Sequence, residues 1–249
     1  MKPYYDDGSG RVIYHGRCED VLPSLDPIDI VVTSPPYNMG LVPGGNGRGM
    51  YRPGASNKAG RFRYGYSEAD DDALPQDEYD AFHRARLAEM WDLVRLGIFY
   101  NHRPRVEHGR LRIPLGWDYG PAVLRQIIVW DRGTGIDVTL RGFCTRQEWI
   151  LLFAKPEFAV IDHAASGMGD VWRLGMEKTE TGHPAPFPVS LPARCIYATG
   201  AQSVLDPFLG SGTTLRAAKD AGIRGVGIER DERYCEIAAK RLAQEALFG

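Results

Sequence analysis

Ser203-Val204-Leu205-Asp206-Pro207-Phe208-Leu209-Gly210-Ser211-Gly212-Thr213-Thr214 is the stretch that decides the fold. Ser203–Asp206 reads as a short buried strand, and Pro207 cannot continue it. Pro207–Thr213 is a Gly-rich turn, and Thr214–Ala221 is a helix closed by Gly222. Gly225–Glu229 is a second strand. Asp231–Leu247 then places Tyr234, Ile237, Ala238 and Leu242 on one helical face. Strand, turn, helix, strand, helix is a βαβ unit, which implies a parallel sheet with crossover helices.

Ligands of open α/β sheets bind where strands end, so the turn at Asp206–Thr214 is a candidate binding site. Gly210 and Gly212 lack a Cβ, which leaves room for a ligand at the backbone. The helix that follows offers free N–H groups. Glu229 ends the next strand, where a carboxylate can accept both hydroxyls of a ribose. A phosphate-binding P-loop would need a Lys that this turn lacks, and Leu215 stands where a dinucleotide fingerprint has its third Gly. Two strand-end carboxylates suit a ligand with a positive group and a ribose, and S-adenosylmethionine has both.

Working outward, Asp29–Thr33 is a buried strand stopped by Ser34-Pro35-Pro36-Tyr37. Two prolines fix the backbone and its carbonyls. A fixed carbonyl and the Ser34 hydroxyl can accept hydrogen bonds from an exocyclic amine, and Tyr37 can stack on a base taken out of its helix. Other elements follow from periodicity. Arg11–Tyr14 reads as a strand, Glu19–Leu25 as a short helix, and Asp77–Leu96 as a longer helix that Gly97 ends. Ile98–Tyr100, Ile127–Trp130 and Trp149–Phe153 are further strand candidates, and Val189–Thr199 is helical.

The two motifs together resemble the S-adenosylmethionine-dependent amino-methyltransferases of DNA. The family's catalytic motif is [DNS]-Pro-Pro-[YFW], matched by Ser34-Pro35-Pro36-Tyr37, and its cofactor motif is DxFxGxGT, matched by Asp206 to Thr213. The catalytic motif comes first, as in the circularly permuted beta class. The resemblance implies an α/β, Rossmann-like methyltransferase fold: a mostly parallel seven-stranded sheet with helices on both faces. It implies one methyltransferase domain over residues 1–249, with a basic insert at 40–67 and a short recognition region at 156–182. Ser34, Pro35, Pro36 and Tyr37 become the expected catalytic residues. Asp206, Phe208, Gly210, Gly212, Thr213, Glu229, Asp20 and Pro186 become the expected cofactor contacts. Asp20 stands in for an Asp that the family carries after Gly, since this chain reads Gly16-Arg17-Cys18-Glu19-Asp20. In this family Ser at the first motif position goes with N4-cytosine, and Asp or Asn with N6-adenine. N4-cytosine is therefore the first expectation and N6-adenine the second, with a non-catalytic DNA-binding module as a remote third.

The chain has 249 residues, 43% hydrophobic and 25% charged, and a net charge of -2. Such a charge gives no hint of a polyanion partner. The total hides a segregation. Between Gly44 and Ser67 lie Arg48, Arg52, Lys58, Arg61 and Arg63 with no acid, and the acidic run Glu68–Asp72 follows. Aromatic residues interleave the basic ones, which suits a loop that holds DNA phosphates beside the catalytic turn. A second basic stretch carries Arg103, Arg105, Arg110 and Arg112. Cys18, Cys144, Cys195 and Cys235 show no paired spacing and none follows Pro. That spacing argues against a metal site, against disulfides and against a cysteine-based attack on cytosine C5. No apolar run approaches the ~18 residues of a membrane span, and the N-terminus carries no signal segment. The expected setting is the cytoplasm and the expected partner is duplex DNA; the family also admits a homodimer and a cognate restriction endonuclease.

Overall fold

The computed structural model describes residues 1–38, 74–107, 110–135, 143–175 and 187–244. In chain order the elements begin with β1 (Tyr5–Asp6), β2 (Arg11–His15), α1 (Cys18–Val21), β3 (Ile28–Thr33), α2 (Gln76–Leu93) and β4 (Val94–His102). They continue with β5 (Arg105–Glu107), β6 (Arg110–Arg112), β7 (Leu124–Asp131), β8 (Gln147–Ala154), α3 (His163–Gly167) and β9 (Val171–Arg173). The chain closes with α4 (Ser190–Thr199), β10 (Ser203–Asp206), α5 (Thr213–Asp220), β11 (Arg224–Glu229) and α6 (Glu232–Ala243).

Among the described residues, nine strands form one sheet in the order β1-β2-β11-β10-β3-β4-β8-β7-β9. The expected seven are its middle seven. The correction is two short edge strands: β1 folds back antiparallel on β2, and β9 adds parallel to β7. Parallel pairs run from β2 through β11, β10 and β3 to β4, and β8 pairs antiparallel with both β4 and β7. The β5–β6 hairpin stands apart as a second sheet.

Strand periodicity sorts the core onto two faces. Val31, Ile98, Tyr100, Leu151, Phe153 and Leu205 face α1 and α2, in a cluster with Tyr79, Leu87 and Met90. Their neighbours Ile30, Val32, Phe99, Ile150, Leu152 and Val204 face α4 and α5, against Leu191, Cys195, Ala217 and Ala218. Helix α6 packs Cys235, Ala238 and Leu242 on Ile13, Leu209 and Leu215. Capping follows local chemistry: the Asp231 side chain accepts from the Arg233 amide at 3.0 Å, and α4 ends at Gly200 with φ 62°.

One boundary differs from expectation. Helix α2 stops at Leu93, and Gly97 lies inside β4 rather than ending the helix. Pairing with β3 draws Val94 onward into the sheet, with Val94 opposite Ile28. Gly97 is needed for close approach instead: a Cβ there would sit 2.7 Å from the Phe153 carbonyl oxygen of β8.

Candidate active site

Strand order places the site. From β3 the chain passes through α2 to β4 on one side, and from β10 through α5 to β11 on the other. Neighbouring β3 and β10 therefore form a topological switch point, and a crevice opens beyond their carboxyl ends. Both motifs leave the sheet there, although they lie far apart in sequence.

Asp206 joins them. Its carboxylate is 2% exposed and faces inward. Oδ1 accepts from the Thr33 hydroxyl at 2.7 Å and the Phe208 amide at 3.1 Å. Oδ2 accepts from the Thr214 hydroxyl at 2.6 Å. Burial pushes the carboxyl up to about 6, against the lowering effect of those bonds. The sequence suggests a direct partner for a positive ligand group. The structure shows a carboxylate bonded within the protein, tying the residue before Ser34 to the Gly-rich turn.

The Gly-rich turn is held by its own neighbours. Gly210 donates its amide to Glu229 Oε2 at 2.8 Å, and Asp231 donates to Glu229 Oε1 at 2.8 Å. Burial raises the Glu229 carboxyl to about 7. A carboxylate offers about four acceptor positions, so this one still has capacity for two ribose hydroxyls. The donor set thus fits a nucleoside-bearing cofactor at the end of β11. Gly212 has a packing role that the sequence did not show. Its φ is 85° and a Cβ would meet Ala238 Cβ at 2.8 Å, so the missing side chain makes room for α6. Thr213 begins α5 and accepts from Arg241 Nη1 at 3.0 Å. Phe208 is partly buried against the α2 side of the core, 6.3 Å from Phe82. Asp20 is exposed in α1, and its carboxylate makes no hydrogen bond among the described residues. Pro186 lies outside the described residues.

The Ser34–Tyr37 turn, the expected catalytic one, is built differently. Pro35 is buried, and Ser34, Pro36 and Tyr37 are half-buried. Ser34 Oγ lies 2.9 Å from the Tyr37 hydroxyl. That hydroxyl also faces Asn101 Oδ1 at 2.8 Å and Glu148 Oε2 at 3.1 Å, to which it can donate. Glu148, 6% exposed, pairs with Arg132 at 3.2 Å. Burial, then the Glu148 charge, pushes the Tyr37 phenol well above its ordinary value, so it stays protonated. The Tyr37 ring lies 5.0 Å from the His102 ring at 32°, with the Arg103 guanidinium 5.9 Å from its centre.

Sequence reading missed Thr33, Thr214, Asn101 and Glu148 as site residues. A signal existed for the last two: polar residues at the ends of apolar strand runs β4 and β8. Arg48, Arg52, Lys58, Arg61 and Arg63 lie outside the described residues, as does the insert at 40–67 that carries them. The expected recognition region is described only to Gly175, where it forms α3 and β9. The second basic stretch forms the β5–β6 hairpin, whose Arg110, Leu111 and Arg112 are all exposed. No helix among the described residues is long and apolar enough to cross a membrane.

Comparison with known proteins agrees with this geometry. The chain is 28% identical over 287 residues to the type II methyltransferase M.ScaI of Streptomyces caespitosus, spanning 98% of this chain and 85% of that one. It is 26% identical over 271 residues to the type II methyltransferase M2.LlaDCHI of Lactococcus lactis subsp. cremoris, spanning 100% and 94%. The fold is similar to that of the PvuII cytosine-N4-specific DNA methyltransferase, with TM-score 0.71 at 16% identity over 100% of this chain and 91% of that one. It is also similar to M1.HpyAVI, solved with its bound cofactor SAM, with TM-score 0.66 at 19% identity over 94% and 100%. The N6/N4 methyltransferase family, described as DNA methylase, matches residues 28–240. With both family motifs meeting at the β3–β10 crevice, the chain belongs to the N6/N4 family of DNA methyltransferases.

Proposed function

We propose that this DNA methyltransferase transfers a methyl group from S-adenosylmethionine to the exocyclic N4 of a cytosine flipped out of duplex DNA. The observation that carries the reading is Ser34, a neutral hydroxyl at the head of the catalytic turn, one residue after the Thr33 that is bonded to Asp206 at 2.7 Å. The similarity to a cytosine-N4-specific enzyme supports it.

The bound cofactor supplies an electrophilic methyl on a sulfonium. Glu229 and Asp20 would hold its ribose and adenine, beside the amides of the Gly-rich turn. The exocyclic amine is a weak nucleophile because its lone pair is conjugated into the ring. Accepting its hydrogens at the Pro35 carbonyl and Ser34 hydroxyl pulls the nitrogen toward sp³ and aims the lone pair. Positioning and fixed dipoles then supply most of the rate. Tyr37 is neutral and supplies a π-face to the base. The arginines of the 40–67 segment and the exposed Arg110 and Arg112 of β6 hold DNA phosphates. A second copy of the chain would extend its short target-reading surface, and a restriction endonuclease is the natural companion of a type II enzyme.

The test is a nucleoside digest, read by mass spectrometry, of unmethylated DNA treated with labelled cofactor. N4-methylcytosine is the expected product. N6-methyladenine as the sole product replaces this reading with adenine methylation, and no product at all sinks both.

A further inference from the structure

Two buried residues outside both motifs grip the catalytic turn from behind. Tyr79, 1% exposed in the first turn of α2, donates its hydroxyl to the Pro36 carbonyl at 2.8 Å. The same hydroxyl lies 2.7 Å from Nε2 of His102, which is 2% exposed at the end of β4. The Arg103 backbone amide points at His102 Nδ1 from 2.8 Å. The Arg103 carbonyl lies 3.1 Å from the same Nδ1, so the Arg103 backbone holds the ring on that side. The Pro36 carbonyl can only accept, so the Tyr79 hydrogen goes to it and the Tyr79 oxygen accepts from His102 Nε2–H.

His102 acts twice. It orients Tyr79, and its ring lies 5.0 Å from the Tyr37 ring. The turn is tied to the start of α2 at a second point, where Asn38 Nδ2 donates to the Leu74 carbonyl at 2.9 Å. Both Tyr79 and His102 lie outside the Asp206–Glu229 half of the site.

We infer that Tyr79 and His102 are positioning residues for methyl transfer: their hydrogen-bonded pair fixes the Pro36–Tyr37 peptide, and through it the angle at which the turn meets the target amine. The inference rests on the reading that the Ser34–Tyr37 turn acts on an exocyclic amine. Its effect falls on the chemical step, because the cofactor is held on other strands. Misplacement of a reacting group by about 1 Å costs on the order of 100-fold in rate.

The experiment compares the full-length wild type with Tyr79→Phe, His102→Leu and His102→Gln. Tritiated S-adenosylmethionine and unmethylated phage DNA serve as substrates, and kcat is measured beside the cofactor Kd. Tyr79→Phe keeps the ring and removes one hydroxyl. Gln retains an N–H near the place of Nε2, and Leu does not. Tyr79→Phe and His102→Leu are expected to lower kcat at least about 10-fold, with the cofactor Kd within about twofold of wild type. His102→Gln is expected to recover at least a third of the wild-type kcat. Unchanged kcat in Tyr79→Phe overturns the inference. So does a His102→Gln variant as slow as His102→Leu, or a parallel loss of cofactor binding, which marks a merely structural role. A wild type that methylates no exocyclic amine overturns the underlying reading instead, and the product digest of the wild type alone reveals it.

Discussion

The two turns at the β3–β10 crevice are stabilised in opposite ways. The Gly-rich turn draws its hydrogen bonds mostly from nearby sequence: Asp206 with Phe208 and Thr214, and Glu229 with Gly210 and Asp231. The catalytic turn draws on distant elements: Asn101 and His102 from β4, Glu148 from β8, and Tyr79 from α2. A short contiguous motif can therefore specify the first. Four parts of the chain must assemble before the second has its shape. Asp206 and Thr33 form the bond between them. One consequence is that damage to the catalytic turn should appear in the chemical step, and damage to the Gly-rich turn in cofactor binding and stability.

The largest effect that would sharpen this contrast is at Tyr37. Tyr37→Ala removes the proposed base-stacking face and the hydroxyl that gathers Ser34, Asn101 and Glu148. Single-turnover methyl transfer should fall by about 10³-fold, with cofactor affinity unchanged. Equal losses in rate and cofactor affinity would erase the distinction between the turns. Next is Glu229→Ala, which deletes the proposed acceptor for the ribose and orphans two amides. Cofactor Kd by isothermal titration should rise about 100-fold, roughly 2.7 kcal/mol.

Gly212→Ala tests whether the Gly-rich turn is built for helix packing. The substitution meets both a φ of 85° and Ala238 at 2.8 Å. It should cost roughly 2 kcal/mol and about 5 °C in Tm. An unchanged melting temperature would remove the packing role.

The buried carboxyls make a pH prediction. Asp206 is raised to about 6 and Glu229 to about 7, each above its unfolded value. The folded chain then binds more protons than the unfolded one between roughly pH 4 and 7, so stability falls as pH rises through that window. Each group contributes on the order of 2 kcal/mol. Urea unfolding of the cofactor-free protein at pH 5 and pH 7.5 measures the drop, and Glu229→Gln should flatten its upper half. A wild type more stable at pH 7.5 than at pH 5 would contradict the burial of this pair.

The smallest effect belongs to the basic segment. Replacing Arg61 and Arg63 by Ala should weaken DNA binding about 10-fold and lower the salt slope by about 2. Fluorescence anisotropy over a salt series reads both, and an unchanged slope would remove these residues from the interface.

Much of this molecule was legible in its sequence because the information is local. A β-branched run stopped by prolines, a strand followed by Gly-X-Gly, and a carboxylate closing the next strand each state their own conformation. The βαβ unit and the turn at Ser34–Tyr37 followed from such signals, and the expectation that this turn is catalytic followed from the family resemblance. The end of α2 did not, because pairing with β3 draws Val94 into the sheet before Gly97 is reached. The role of Gly212 did not either, because only the packed α6 shows what would strike its Cβ.

By itself, then, the sequence determined the strand–turn–helix grammar, both motifs, and the acid-free basic segment that a net charge of -2 conceals. Only the tertiary structure decided that Asp206 turns inward to Thr33, and that Tyr79, His102, Asn101 and Glu148 surround the catalytic turn. The physical reason is that a buried polar group must find a partner wherever the fold brings one. For residues as far apart as Thr33 and Asp206, strand order selects that partner, and no local spacing encodes strand order.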